Sequence, residues 1–195
     1  MTSKDLFRIS FIAAPIFLLL YGVAHFIDGL DGNYGPGIAW TVGHLMFLGA
    51  LLTFGLVIIG LGQRMGTDGT GKRTLLTKLA MIVGLLGLII FVRVSVIDIV
   101  TGIRATDHAA MDAISTQLNA YPSAALLPLY NIGPLLFQLG MLILMVQLAI
   151  LKPRSLSWWS PMLLLGGFLM LGFDLDLLIP GAILIALALW PLVKR

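Results

Sequence analysis

Residues 38–73 read IAWTVGHLMFLGALLTFGLVIIGLGQRMGTDGTGKR, and this stretch decides the fold. Positions 38–61 are an almost unbroken apolar run. A helix rises ~1.5 Å per residue, so a hydrocarbon core of ~30 Å needs about 20 such residues. The run is long enough to cross a bilayer as one helix. It ends in a polar loop, 63–73, that carries Arg64, Lys72 and Arg73. Loops of this kind collect on the cytoplasmic side of membranes. One segment thus supplies a span, its end and its sidedness.

The same pattern extends in both directions. Apolar runs predict six spans in an all-α, polytopic membrane bundle, at about 6–27, 38–61, 74–103, 124–151, 158–175 and 177–193. Together they make a single transmembrane domain, 1–195. The last two are short because Asp174 and Asp176 interrupt the run and Pro180-Gly181 follows. The turn falls either at the aspartates or at the proline, and a re-entrant hairpin is the alternative for segments of that length. Lys4 and Arg8 precede the first run as in a leader peptide. That run is long enough to span and has no small-residue cleavage site, so it reads as a helix that is retained.

Composition agrees. The chain is 59% hydrophobic and 11% charged over 195 residues, with a mean hydropathy of +1.03. Soluble domains carry roughly 25% charged residues. Cysteine and glutamate are absent, which removes disulfides, thiolate metal sites and a cysteine nucleophile. The net charge of +3 does not point to nucleic acid, because the charges sort by side. Ten of the twelve Lys and Arg residues fall with the termini, leaving Arg93 and Arg104 opposite; seven of the nine aspartates lie on that opposite side. The expectation is a cell-membrane (plasma-membrane) protein with both termini cytoplasmic. Five or seven spans would break the alternation. Trp158, Trp159 and Trp190 near inner ends, and Tyr34, Trp40 and Tyr121 near outer ends, suit the interfacial belts.

Two loops carry patterns of their own. Residues 66–72, GTDGTGK, imitate a phosphate-binding loop, but Arg73 stands where Ser or Thr would hold Mg²⁺, and no strand precedes it. The stretch reads as a basic loop. In the third loop, Thr106 or Asp107 can cap a helix on which Met111, Ile114, Leu118 and Tyr121 recur at helical spacing between polar residues. A short amphipathic helix on the outer face is expected there. His108 beside it reads as a solvated loop histidine.

Polar residues at membrane depth carry the functional information, since ionisable groups inside spans cost ~2.5–3.5 kcal/mol on insertion scales. They gather in the outer half: His25, Asp28, His44, Arg93, Asp98, Tyr130, Asn131, Asp174 and Asp176. Gln138 and Gln147 are the main exceptions in the apolar inner half. Tyr21, His25 and Asp28 share one helical face, as do Trp40 and His44. His25 and His44 are expected at similar height and can face each other. Arg93 is expected to pair with Asp174 or Asp28, and Asp98 with His25 or His44. Pro128 and Pro134 would free backbone carbonyls near Asn131.

Four readings follow from this cluster. It is a structural polar network; or a metal-dependent hydrolase of a lipid-like substrate, with zinc on His25, Asp28 and His44 and with Asp98 or Asp174 as catalytic base; or a haem b protein with His25 and His44 as axial ligands; or an outward-facing pocket that binds or transports a small polar or cationic molecule. An accessory role beside a partner membrane protein is the remaining case. No His-x-x-x-His pair supports the metal reading. The orientation is testable because the chain has no cysteine. In intact cells, a membrane-impermeant thiol reagent should label Asn33→Cys and spare Thr70→Cys; the opposite pattern inverts the topology.

Overall fold

The computed structural model describes residues 2–66, 71–120, 127–151 and 156–194. Seven helices run in order: α1 (Ser3–Asp28), α2 (Ile38–Met65), α3 (Lys72–Arg104), α4 (His108–Asn119), α5 (Leu127–Leu151), α6 (Trp159–Phe173) and α7 (Leu178–Val193), with 3-10 turns at Gly29–Asp31 and Leu175–Leu177. The apolar runs become helices because lipid offers no partner for a free backbone N–H or C=O, so each span must satisfy its own. The ends are set by local chemistry. Thr2 and Asp5 form a reciprocal capping box at the start of α1. Gly32 and Gly35, both at positive φ, turn the chain between α1 and α2.

Among the described residues, five helical segments are long and apolar enough to cross a membrane: Asp5–Asp28, Ile38–Met65, Lys72–Arg104, Asn131–Leu151 and Leu175–Val193. The sixth apolar helix, Trp159–Phe173, has 15 residues, about 22 Å at 1.5 Å each, and falls short of the core thickness. Of the six expected spans, five reach spanning length among the described residues, and 158–175, expected to be short, is the short apolar helix α6. The physical reason is the turn, which falls at Asp174–Leu177 and not at the proline. Asp174 accepts a hydrogen bond from the Asp176 N–H at 3.0 Å and breaks the helix there, while Pro180 sits within the first turn of α7.

Neighbouring helices alternate in direction. Gly43 of α2 lies against Ala24 of α1, and Gly60 against Phe7. The α2 residues Trp40 and Gly55 face Gly102 and Leu88 of α3. Among the described cations, this topology sets Arg8, Arg64, Lys72, Arg73, Lys78 and Lys194 toward the end that holds both termini. The far end is called outer below. At the terminal end, Arg64 donates from Nη2 to the Leu192 carbonyl at 2.7 Å and lies over the Phe11 ring, tying α2 to the last turn of α7.

Among the described residues, the closest backbone approach joins α3 to α5. A Cβ on Gly140 would stand 2.5 Å from the Gly84 Cα and 2.6 Å from the Ala80 carbonyl. One on Gly87 would overlap the backbone of Phe137. Apolar burial adds nothing between helices already in lipid, so close backbone approach through small residues supplies the attraction. Two turns nearer the termini, Thr77 donates to the Gln147 Oε1 at 2.9 Å across the same seam. Around it, the fully buried Leu51, Ile58, Met141, Leu144, Leu164 and Ile185 form the core.

Helix α4 occupies the third loop. Asp107 caps it, accepting from the Ala110 N–H at 2.8 Å. Met111, Ile114 and Leu118 are half-buried while Asp112 and Thr116 are exposed. Tyr121 and residues 67–70 of the basic loop lie outside the described residues, as does the side chain of Tyr130. Pro128 falls in the first turn of α5 and Pro134 inside it. Gly140→Val should lower stability by at least about 1–3 kcal/mol through overpacking. Gly172→Ala, whose Cβ meets nothing within 4 Å, should be neutral. Unfolding in mixed micelles compares the two.

Candidate functional site

The outer-half polar residues separate into two groups. The first is a seam between α2 and α3. Trp40 donates its indole N–H to the Asp98 carbonyl at 2.9 Å, and Ser95 donates to the His44 carbonyl at 3.2 Å. His44 is buried, with Nδ1 at 2.8 Å from the Trp40 carbonyl and Nε2 at 3.6 Å from Asp98 Oδ2. The Trp40–His44 spacing of one helical turn puts the imidazole over its own helix backbone and leaves the other nitrogen pointing at α3. The Asp98 side chain retains 29% exposure, all the more notable beside a histidine at 7%. The expected pairing of Asp98 with one of the two histidines therefore falls to His44.

The second group lies between α1, the turn after it and the turn before α7. His25 stacks flat on Tyr34, with centroids 4.5 Å apart and planes 8° apart. Asp28 accepts from the Gly35 N–H at 2.8 Å, which closes the turn. The Tyr34 hydroxyl donates to Asp176 at 3.4 Å. Desolvation, then the neighbouring carboxylates of Asp176, Asp174 and Asp28, push the Tyr34 phenol above its ordinary value. Arg93 pairs with neither Asp174 nor Asp28. It donates to the Leu118 carbonyl at 3.1 Å and to Asn119 at 3.5 Å, so it neutralises the carbonyl end of α4. Asn131 is exposed.

This arrangement overturns the cofactor expectations. Among the described residues, no three His, Cys, Asp or Glu side chains converge on a point that would hold a metal. Asp28 is turned to the Gly35 amide, so His25, Asp28 and His44 make no zinc site, and the metal-dependent hydrolase falls with it. Haem b fares no better: His25 lies flat on a tyrosine ring and His44 faces Asp98, so the two imidazoles do not address one iron.

Sequence reasoning missed the space beside the α2–α3 seam. A cavity of about 250 Å³ sits between α1, α2, α3, α5, α6 and α7. Its walls include the rings of Tyr21, Phe47, Phe54, Phe91, Phe137 and Phe168 beside aliphatic residues such as Leu18, Leu51 and Val94, with Asp98 and Gln138 as polar members. The rings form a connected set: Tyr21 stacks on Phe47 at 4.7 Å, Phe47 meets Phe91 edge-on at 5.1 Å, and Phe137 meets Phe54 at 5.5 Å and Phe168 at 5.7 Å. Half of the ten phenylalanines in the chain line this one space. That concentration is the signal available in the sequence, since interfacial belts favour Trp and Tyr and leave mid-span Phe unexplained. Leu175 borders this cavity and also an outer groove of about 350 Å³ lined by His25, Tyr34 and Asp176.

The geometry presents one carboxylate on a wall of aromatic and aliphatic side chains, and the π-faces of the rings attract cations. Trp40→Phe, which removes the indole bond to the Asp98 carbonyl, should cost about 0.5–1.5 kcal/mol of stability without emptying the cavity of any lining residue; thermal unfolding checks it. No protein-family model, no curated protein and no solved structure matches this chain.

Proposed function

We propose that this integral membrane protein binds a small organic cation in its central cavity, with Asp98 as counter-ion and the phenylalanine rings as walls. The observation that carries the reading is the placement of Asp98 on the wall of an aromatic cavity. A buried carboxylate is costly unless it meets a positive partner. Tertiary and quaternary ammonium groups are recognised by aromatic cages together with an acid. The volume, about 250 Å³, lies just under the ~300–1,000 Å³ usual for ligand pockets, which favours a compact molecule.

The surroundings fit an approach from the outer end. Asp176 lines the outer groove, and Asp28 and Asp174 stand close enough to Tyr34 to act on its phenol. Such carboxylates raise the local concentration of cations. Leu175, 47% exposed, separates groove from cavity. We assign the outer end to the external face, with both termini cytoplasmic, because cytoplasmic loops collect Lys and Arg. We place α4 on the outer membrane surface, resting on Met111, Ile114 and Leu118.

A second reading draws on the Trp40–Asp98 and Ser95–His44 bonds: the polar residues serve only to lock α2 to α3. Equilibrium binding of benzyltrimethylammonium to the purified protein separates the two. This probe is compact, aromatic and permanently charged. Binding should be saturable, and Asp98→Asn should weaken it by about tenfold or more, the worth of a charged contact of ~1.5–3 kcal/mol. Saturable binding unaffected by Asp98→Asn, or none at all, leaves the locking role alone.

A further inference from the structure

The contacts of His44 determine how many protons the α2–α3 seam carries. Its Nδ1 lies 2.8 Å from the Trp40 carbonyl, an oxygen that only accepts, so Nδ1 bears a hydrogen. In a neutral ring of that tautomer, Nε2 has a lone pair and no hydrogen. That lone pair would face Asp98 Oδ2 at 3.6 Å, acceptor against acceptor. One proton removes the conflict, held either as imidazolium beside carboxylate or as imidazole beside carboxylic acid. The two forms have the same net charge, and the pair is neutral in both.

Among the described residues packed against the pair, none supplies another cation to take this role. From α1, Tyr21 meets the His44 ring edge-on at 5.4 Å, and His25 and Asp28 lie within electrostatic reach. Within α2, Trp40 covers the imidazole at 4.3 Å. From α3, Ser95 binds the His44 carbonyl, and Arg93 donates to the end of α4. From α5, Gln138 is the polar member of the cavity wall, and α6 and α7 contribute apolar groups there.

We propose that His44 and Asp98 together carry one proton in the empty protein, and that an organic cation entering the aromatic cavity replaces it, so that binding is an exchange of cation for proton. This rests on the binding reading above. The electrostatics make the exchange favourable. A cation added to a neutral, proton-bearing pair leaves one uncompensated positive charge among aromatic rings, which burial penalises. Loss of the proton restores a single positive charge against a single carboxylate. The N–H or O–H bond that held the proton breaks, its electron pair stays on His44 or Asp98, and the proton passes to water. No oxidant or co-reactant is needed.

Calorimetry of benzyltrimethylammonium binding in buffers of different ionisation enthalpy counts the protons released. The probe has no titratable proton, so any release comes from the protein. Release should approach one proton per bound cation, and affinity should rise with pH by up to about tenfold per unit while the pair stays protonated. Neopentylbenzene, the uncharged isostere, should release none, and neither should the cation with Asp98→Asn. Binding with no buffer dependence and no pH dependence overturns the exchange while leaving the binding site intact. Failure of the cation to bind overturns both. Nitrogen NMR of the His44 ring in the empty protein is an independent check. A proton on Nε2, or a strong hydrogen bond to it, supports the shared proton; a bare Nε2 beside an ionised Asp98 at neutral pH overturns it.

Discussion

The outer half of this molecule is organised by the cost of a carboxylate at membrane depth. Asp98 sits more than a turn inside the outer end of α3, where an unpaired charge would lose its hydration with nothing in return. Its surroundings answer that cost from one side only. His44 of α2 faces one carboxylate oxygen, the indole of Trp40 holds the backbone of the same residue, and Ser95, nearly one turn earlier on α3, ties back to α2. Asp98 also lines the cavity. A group that both clamps two helices and looks into an aromatic space links the stability of the bundle to whatever occupies that space.

The rest of the architecture makes the space possible. Helices α3 and α5 approach through Gly84, Gly87, Gly133 and Gly140 until their backbones touch. Larger residues therefore have no room in that seam, and the phenylalanines of both helices are displaced to its edge, toward α1, α2 and α6. Short α6 ends at Phe173, so Gly172 and Leu175 lie exposed at the margin of the cavity, beside the outer groove. The terminal half differs in kind. There Leu, Ile and Met fill the interior, and the Thr77–Gln147 and Arg64–Leu192 bonds link its helices. The cavity therefore lies in the outer half, above a terminal half that is apolar packing among the described residues.

Much of the fold was legible in residue order. Run length in a ~30 Å hydrocarbon core located the long helices to within a few residues, because backbone satisfaction in lipid leaves few alternatives. The helix at 108–119 was visible through Asp107 and the spacing of Met111, Ile114 and Leu118. The fifth expected span, 158–175, is a short helix: the run could be read as turning at the aspartates or at Pro180, and the bond from the Asp176 amide to Asp174 that fixes its end does not register in hydropathy. The site was legible only in part. Depth alone flagged His44 and Asp98, and antiparallel neighbours made their meeting predictable. Rotation about the helix axis was not available from depth, so His25 was expected to face His44, whereas Tyr34 captures it by stacking. Arg93 was matched to aspartates by charge, while the structure has it donating to a helix terminus folded back on α3. The aromatic cavity was hidden because Phe is unremarkable in a span; only its convergence from four helices gives it meaning.

The central claim is that a positive charge resides in the cavity beside Asp98. The most direct measurement is a crystal structure of the protein with benzyltrimethylarsonium, in which arsenic replaces the nitrogen of the ammonium probe and is located by its anomalous scattering. The account predicts one arsenic peak inside the ring of Tyr21, Phe47, Phe91 and Phe137, in contact distance of the Asp98 carboxylate, and its loss with Asp98→Asn. Arsenic confined to the outer groove or the lipid-facing surface, with the cavity bare, would contradict it.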